Sequence, residues 1–282
     1  MAVAFVVRRR VATIAAALLA ATVSACGQGG PGRDATAAGI AQTAGLEGDA
    51  SKGVAFDLQI HRRDDGKPGP LFVYIEGDGR AYLDARTPST DPTPLDPIAL
   101  RLAAADPGPA VLYLGRPCQF APGRADSRCQ VRDWTTGRFA AHLVSALDDA
   151  LNVERVKAPM RKLVLVGYSG GGVMAALVAA RRSDVALVIA VAAPLDVADW
   201  TRRLGLSPLA GSLVPLDQAE RLSQVPLVAF AGQKDETVPV ASIASAIGQL
   251  GPSAKLIVVP GFDHRCCWVR DWPYLRKVAS GE

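Results

Sequence analysis

Four apolar residues, Leu163-Val164-Leu165-Val166, run directly into Gly167-Tyr168-Ser169-Gly170-Gly171, and these into Val173 to Arg181, which reads as a helix. A short apolar run bounded by glycine suits a buried strand. A chain that passes from strand to helix within five residues must turn sharply, and Gly-x-Ser-x-Gly is the spacing that permits it. The turn forces the serine into a strained backbone conformation and aims its hydroxyl away from the sheet. Glycine is needed two residues to either side, because a Cβ there would meet the neighbouring strand and helix. The bare pentapeptide is also compatible with a purely structural turn. The flanking strand, the flanking helix and the partner residues described below favour Ser169 as a nucleophile.

The rest of the chain repeats the strand–helix alternation. Val54 to Ile60 alternates apolar and polar residues as an early strand does, and Asp64-Asp65-Gly66-Lys67 reads as a turn. Leu71–Ile75 and Val111–Leu114 read as buried strands, with a helix over Pro94–Ala105 between them. Thr136 is placed to cap a helix through Leu151 whose Phe139, Leu143, Leu147 and Leu151 share one face. Val185–Ala192, Leu227–Phe230 and Leu256–Val259 are continuous apolar runs of the kind that central parallel strands show, and Val238–Leu250 reads as a helix. Strands alternating with helices predict an α/β chain with a doubly wound, mostly parallel sheet. No internal repeat and no second core stand out.

The amino-terminal residues read as an address. Arg8-Arg9-Arg10 forms a basic start, and Val11 to Val23 is an uncharged stretch of 13 residues. That is short of the ~20 residues a spanning helix needs. Val23-Ser24-Ala25-Cys26 follows, and small residues before a cysteine resemble the lipobox of bacterial lipoproteins. The resemblance implies a signal peptide over 1–25, thioether diacylation of Cys26, and N-acylation of the new terminus. Two or three acyl chains hold a protein on a membrane where one does not. The competing reading is an ordinary secretory signal that contains a cysteine. The arginines also suit a twin-arginine signal, although the rest of that motif is missing. Residues 26–51 are rich in Gly, Ala and Thr and read as a flexible lipidated tether. Residues 52–282 remain, enough for one domain with a large core. The expected location is outside the cytoplasmic membrane, anchored in the cell envelope.

Composition narrows the partners. The chain is 49% hydrophobic and carries a formal charge of +4. No basic stripe interleaves with aromatics, so a nucleic-acid partner is not expected. Of five cysteines, four lie in the expected domain. Cys118 and Cys129 flank a Gly/Arg-rich loop that a disulfide would close in an oxidising compartment. Cys266 and Cys267 are adjacent, and either bond to each other or pair elsewhere. Adjacent cysteines fit tetrahedral coordination of one ion poorly, and the chain has only three histidines, so no metal is expected.

From about Val54 onward the chain resembles the α/β-hydrolase superfamily. Three motifs carry the resemblance, in the order serine, acid, histidine that this fold uses. They are the Ser169 turn, Gly232-Gln233-Lys234-Asp235-Glu236-Thr237-Val238-Pro239 after a strand, and Gly261-Phe262-Asp263-His264 after the last strand. The resemblance implies an α/β-hydrolase fold and a Ser169–His264–Asp235 triad. A serine hydroxyl needs a base to take its proton. An imidazole titrates near neutrality and can both accept and return it. His61, in the early strand, and His142, in a helix before the turn, are not placed for this. Asp235 would hold the tautomer of His264, with Asp263 and Asp196 as rivals. The Gly170 N–H would be one oxyanion donor. The other would come from Glu76-Gly77-Asp78-Gly79, where Asp78 is the leading candidate and Gly77 allows a close backbone approach. Related chains often carry His-Gly there, so Glu76 is a departure. Two carboxylates near an oxyanion are unfavourable unless they point away or pair, and Arg80 and Arg116 are possible partners. Glu76 either orients the loop or, with Asp78, faces a cationic substrate group.

Pro194 to Val225 lies where the superfamily inserts its cap, and reads either as a small lid over an apolar pocket or as an ordinary connecting helix. Arg116 to Trp134 follows a strand end and is a candidate wall of the pocket. The expected activity is hydrolysis of an ester-type acyl bond through an acyl-enzyme on Ser169, with a small-molecule acyl substrate and no cofactor. A peptidase or amidase of the same fold, or a non-catalytic binding lipoprotein, are the alternatives.

Overall fold

The computed structural model describes residues 32–52, 56–120, 126–157 and 161–281. Cys26 and the expected signal sequence lie outside the described residues. The elements are α1 (Arg33–Thr43), β1 (Glu47–Lys52), β2 (Asp57–Asp64), β3 (Leu71–Ile75), α2 (Ile98–Ala105), β4 (Ala110–Leu114), α3 (Ala141–Lys157), β5 (Leu163–Tyr168), α4 (Gly170–Ala179), β6 (Val185–Val191), α5 (Val197–Arg203), α6 (Ala219–Leu222), β7 (Leu227–Gly232), α7 (Val240–Leu250), β8 (Ala254–Val259) and α8 (Trp268–Ser280). The strands form one eight-stranded sheet in the order β1-β2-β4-β3-β5-β6-β7-β8. The β1–β2 and β2–β4 pairs are antiparallel, and all others are parallel.

Successive side chains of a strand point to opposite faces. Val73, Ile75, Leu163 and Leu165 therefore join a core with α3, α4 and α7, while Phe72, Tyr74, Val164 and Val166 join another with α1, α2 and α8. With both faces covered, the central strands must be apolar at every position, which is why they read as unbroken apolar runs.

Several elements differ from the sequence expectation. Residues 26–51 do not form a tether throughout, since α1 and β1 occupy much of that span. Helix α1 buries Ala37 and Ala41 and packs on α2. Alanines are too small to write a strong apolar pattern, so this helix escapes the reading. The helix expected from Thr136 begins instead at Ala141, after the turn of Val131–Trp134. Helix α8 was not anticipated. Its Trp268, Trp272 and Leu275 are buried at helical spacing, but Pro273 interrupts the pattern.

Candidate active site

The parallel strands deliver their loops to one edge of the sheet, the edge where ligands of open α/β sheets bind. Ser169 stands at the end of β5 and is the N-cap of α4, with φ +51° and ψ −125°. A positive φ at a non-glycine residue is costly, and here surrounding contacts impose it. The Ser169 N–H donates to the Val191 carbonyl at 2.8 Å, and the Ser169 carbonyl accepts from the Gly172 N–H at 2.9 Å. A Cβ on Gly171 would overlap the Ile75 carbonyl, and one on Gly167 would overlap Gly171, so the turn closes only with glycine at both positions.

His264 lies in the loop after β8. Its Nε2 is 3.2 Å from the Ser169 Oγ, and its Nδ1 is 2.8 Å from an Asp235 carboxylate oxygen. The other Asp235 oxygen accepts the N–H groups of Thr237 at 2.9 Å and Val238 at 2.7 Å, and the carboxylate is fully buried. The two loops are tied by the Lys234 N–H, which donates to the Phe262 carbonyl at 2.7 Å. The His264 carbonyl accepts from the Tyr168 hydroxyl at 2.8 Å and from Trp268 Nε1 at 3.1 Å, which fixes the histidine's backbone. Both rival acids are engaged elsewhere. Asp196 caps α5 through the Asp199 N–H, and Asp263 accepts the N–H groups of Arg265 and Cys266. His61 is 3.1 Å from the Gln59 amide, and His142 faces Asp133.

The loop after β3 presents a more built arrangement than its sequence suggests. Glu76 is buried, and its carboxylate accepts from the N–H groups of Gly77, Ala99 and Leu100 and from the Tyr113 hydroxyl. It thereby caps the amino end of α2, where a negative charge is favoured. Burial, partly offset by those hydrogen bonds, pushes its pKa up to about 7. Asp78 meets Arg116 at one oxygen and Arg138 at the other, the latter at 2.7 Å. Burial alone would raise the Asp78 pKa, but the two guanidinium groups outweigh it and hold the carboxyl below the usual range. Arg138 takes the place that Arg80 was expected to fill. Its contact spans 60 residues of sequence, so no local pattern announces it. Both carboxylates are paired with donors of the chain itself.

Of the two candidate oxyanion donors in this loop, the Gly77 N–H is consumed by Glu76, so Gly77 serves by its small size: a Cβ there would stand 3.2 Å from the Tyr168 carbonyl. The N–H groups of Asp78 and Gly170 have no hydrogen-bond partner among the described residues.

Above Ser169 opens a cavity of about 930 Å³. Tyr82, Leu95, Ile98 and Trp200 give it an apolar wall, while Arg80, Lys234, Glu236 and Arg265 line its polar side. The 194–225 segment contributes Pro194 and Trp200, and Trp200 Nε1 donates to the Thr237 carbonyl at 2.7 Å. Leu209 and Leu213 pack on the core, whereas Leu204 and Leu206 are exposed. No described residue of Arg116–Trp134 lines the cavity, contrary to expectation. That segment instead buttresses the β3 loop from behind. Cys118 and Cys129 are disulfide-bonded with Cα atoms 5.7 Å apart, and Cys266 is bonded to Cys267. Among the described residues no cluster of His, Cys, Asp or Glu is placed to hold a metal ion.

No family model matches the chain, and no curated protein matches it in sequence. Solved structures do match. An esterase from Pyrococcus furiosus superposes with a TM-score of 0.59 at 14% identity, over 85% of this chain and 90% of the other. An α/β serine hydrolase homologue from Coxiella burnetii gives 0.56 at 16%, over 83% and 95%. A serine hydrolase described as lacking a lid, from Xanthomonas campestris, gives 0.52 at 16%, over 84% and 92%. With its sheet order, the position of its serine turn and these superpositions, the chain has the α/β-hydrolase fold.

Proposed function

We propose that this protein is a serine hydrolase that cleaves a carboxylic ester through an acyl-enzyme on Ser169. We further propose that it is exported and held in the cell envelope by lipid on Cys26. The observation that carries the first reading is the continuous chain Ser169 Oγ, His264 Nε2, His264 Nδ1, Asp235, with distances of 3.2 and 2.8 Å. In the first step the Oγ attacks the ester carbon while His264 takes its proton. The carbonyl oxygen becomes an oxyanion that the N–H groups of Gly170 and Asp78 can receive. Collapse breaks the ester bond, and the departing alcohol takes the proton from His264. Water then repeats the sequence and releases the acid. Asp235 stabilises the imidazolium and holds its tautomer throughout. The apolar wall of Tyr82, Leu95, Ile98 and Trp200 supports an acyl or alkyl group on the substrate.

The test is fluorophosphonate labelling beside turnover of p-nitrophenyl acetate. The parent is expected to label and Ser169→Ala to remain unlabelled. Asp235→Asn should lose about 10³–10⁴ in kcat by leaving the wrong tautomer, whereas Asp196→Asn should retain the rate. A folded parent that does not label would refute the hydrolase reading.

A further inference from the structure

The Gly77–Asp78 peptide is positioned from behind, by a residue that does not reach the cavity. The only cis peptide among the described residues is Cys266–Cys267, so Gly77–Asp78 is trans. In a planar trans peptide the C=O and the N–H point in opposite directions. The Gly77 carbonyl accepts from Gln119 Nε2 at 2.9 Å. On the other side the loop lies against the serine turn, where a Cβ on Gly77 would be 3.6 Å from the Ser169 Cβ. We propose that Gln119 is a positioning residue that preforms the oxyanion hole: by holding the Gly77 carbonyl, it keeps the Asp78 N–H turned toward Ser169. The proposal rests on the hydrolase reading.

Gln119 is built for this task. Its side chain is buried, and its Oε1 accepts the Arg116 N–H at 3.2 Å. That contact orients the amide, because the oxygen is taken by a donor and the nitrogen is left for Gly77. Its neighbours Cys118 and Phe120 both have positive φ, at 72° and 61°. Two left-handed non-glycine residues in a row of three persist only where the surroundings hold them. Here the Cys118–Cys129 disulfide fixes one side, and the Phe120 N–H donates to Thr93 Oγ1 at 2.6 Å on the other. Arg116 and Arg138 complete the arrangement by drawing the Asp78 carboxylate to themselves, so that its charge is neutralised beside the hole. Glycine at 77 makes this peptide easy to rotate. Without the Gln119 donor it can turn its carbonyl toward the oxyanion, which would repel it.

The test uses two variants of the full chain. Gln119→Glu keeps the size and the acceptor for Arg116 and, assayed at alkaline pH where the carboxyl is ionised, has no hydrogen to give the Gly77 carbonyl. Gln119→Met has neither. For folded variants, with the parent's thermal midpoint and near-ultraviolet dichroism as reference, kcat for p-nitrophenyl acetate should fall about 10–100-fold, a fraction of what losing one oxyanion donor costs. KM should change little, and the rate of fluorophosphonate labelling and the affinity for phenylboronic acid, which forms a tetrahedral adduct, should fall in step. A merely structural role would move the thermal midpoint and not this kcat–KM split. If the parent labels normally and both variants keep its kcat, or lose only KM, this proposal fails while the hydrolase reading stands. If the parent does not label, both fail together.

Discussion

At the scale of single residues, the site is a set of backbone groups aimed by buried side chains. Glu76 is the clearest case, because its position costs stability in a pH-dependent way. Its proton leaves the unfolded chain near the ordinary value of 4.5 but the folded chain only near 7. Across that window the folded state binds more protons, so raising the pH destabilises it. The thermal midpoint of the parent should therefore fall, relative to Glu76→Gln, between about pH 4.5 and about pH 7. A difference that stays constant across the window would show that the carboxyl is not shifted. The order and spacing of Ser169, Asp235 and His264 were legible in the sequence because each follows an apolar run, and a strand's end places its neighbour at the site. Arg138 and Gln119 were not legible. Each acts on the β3 loop from a distant segment, and neither belongs to a local motif.

At the scale of elements, legibility followed burial. Strands β3 to β7 lie between two layers of helices and had to be apolar throughout, so their sequences announce them. Helix α1 and strand β1 are assembled from small or polar residues. Their place is fixed by α2 and β2, which no local window contains. The 116–134 segment is the instructive failure. Its position after β4 suggested a pocket wall, but its disulfide and its left-handed residues instead hold Gln119 and Arg116 behind the Glu76–Gly79 loop. Replacing Cys118 and Cys129 by serine releases a closed loop of sequence separation 11. Denaturant unfolding should show a loss of about 3 kcal/mol, and kcat should fall in the same sense as for Gln119→Glu. Unaltered unfolding would mean that the bond does not restrain the unfolded chain.

At the scale of the whole molecule, the sheet joins two cores and exposes one edge for chemistry. Among the described residues, no helix is long and apolar enough to cross a membrane. The anchoring proposal therefore rests on Cys26 alone. Growth with an alkyne fatty acid should label the parent and leave Cys26→Ala unlabelled; persistent labelling of the variant would sink it. The packing of α1 and α8 has a separate consequence. Both lie against α2, within the same core, so the first and last described helices meet a common neighbour on one side of the sheet. The order in which the chain visits its strands is thus separable from the architecture. A flexible linker joining residue 281 to residue 32, with new ends cut at the exposed turn of Asp65 and Gly66, would keep every strand pairing. The new ends would fall before β3, at the opposite end of that strand from the Glu76–Gly79 loop: a circular permutant, with the same site on a differently threaded backbone.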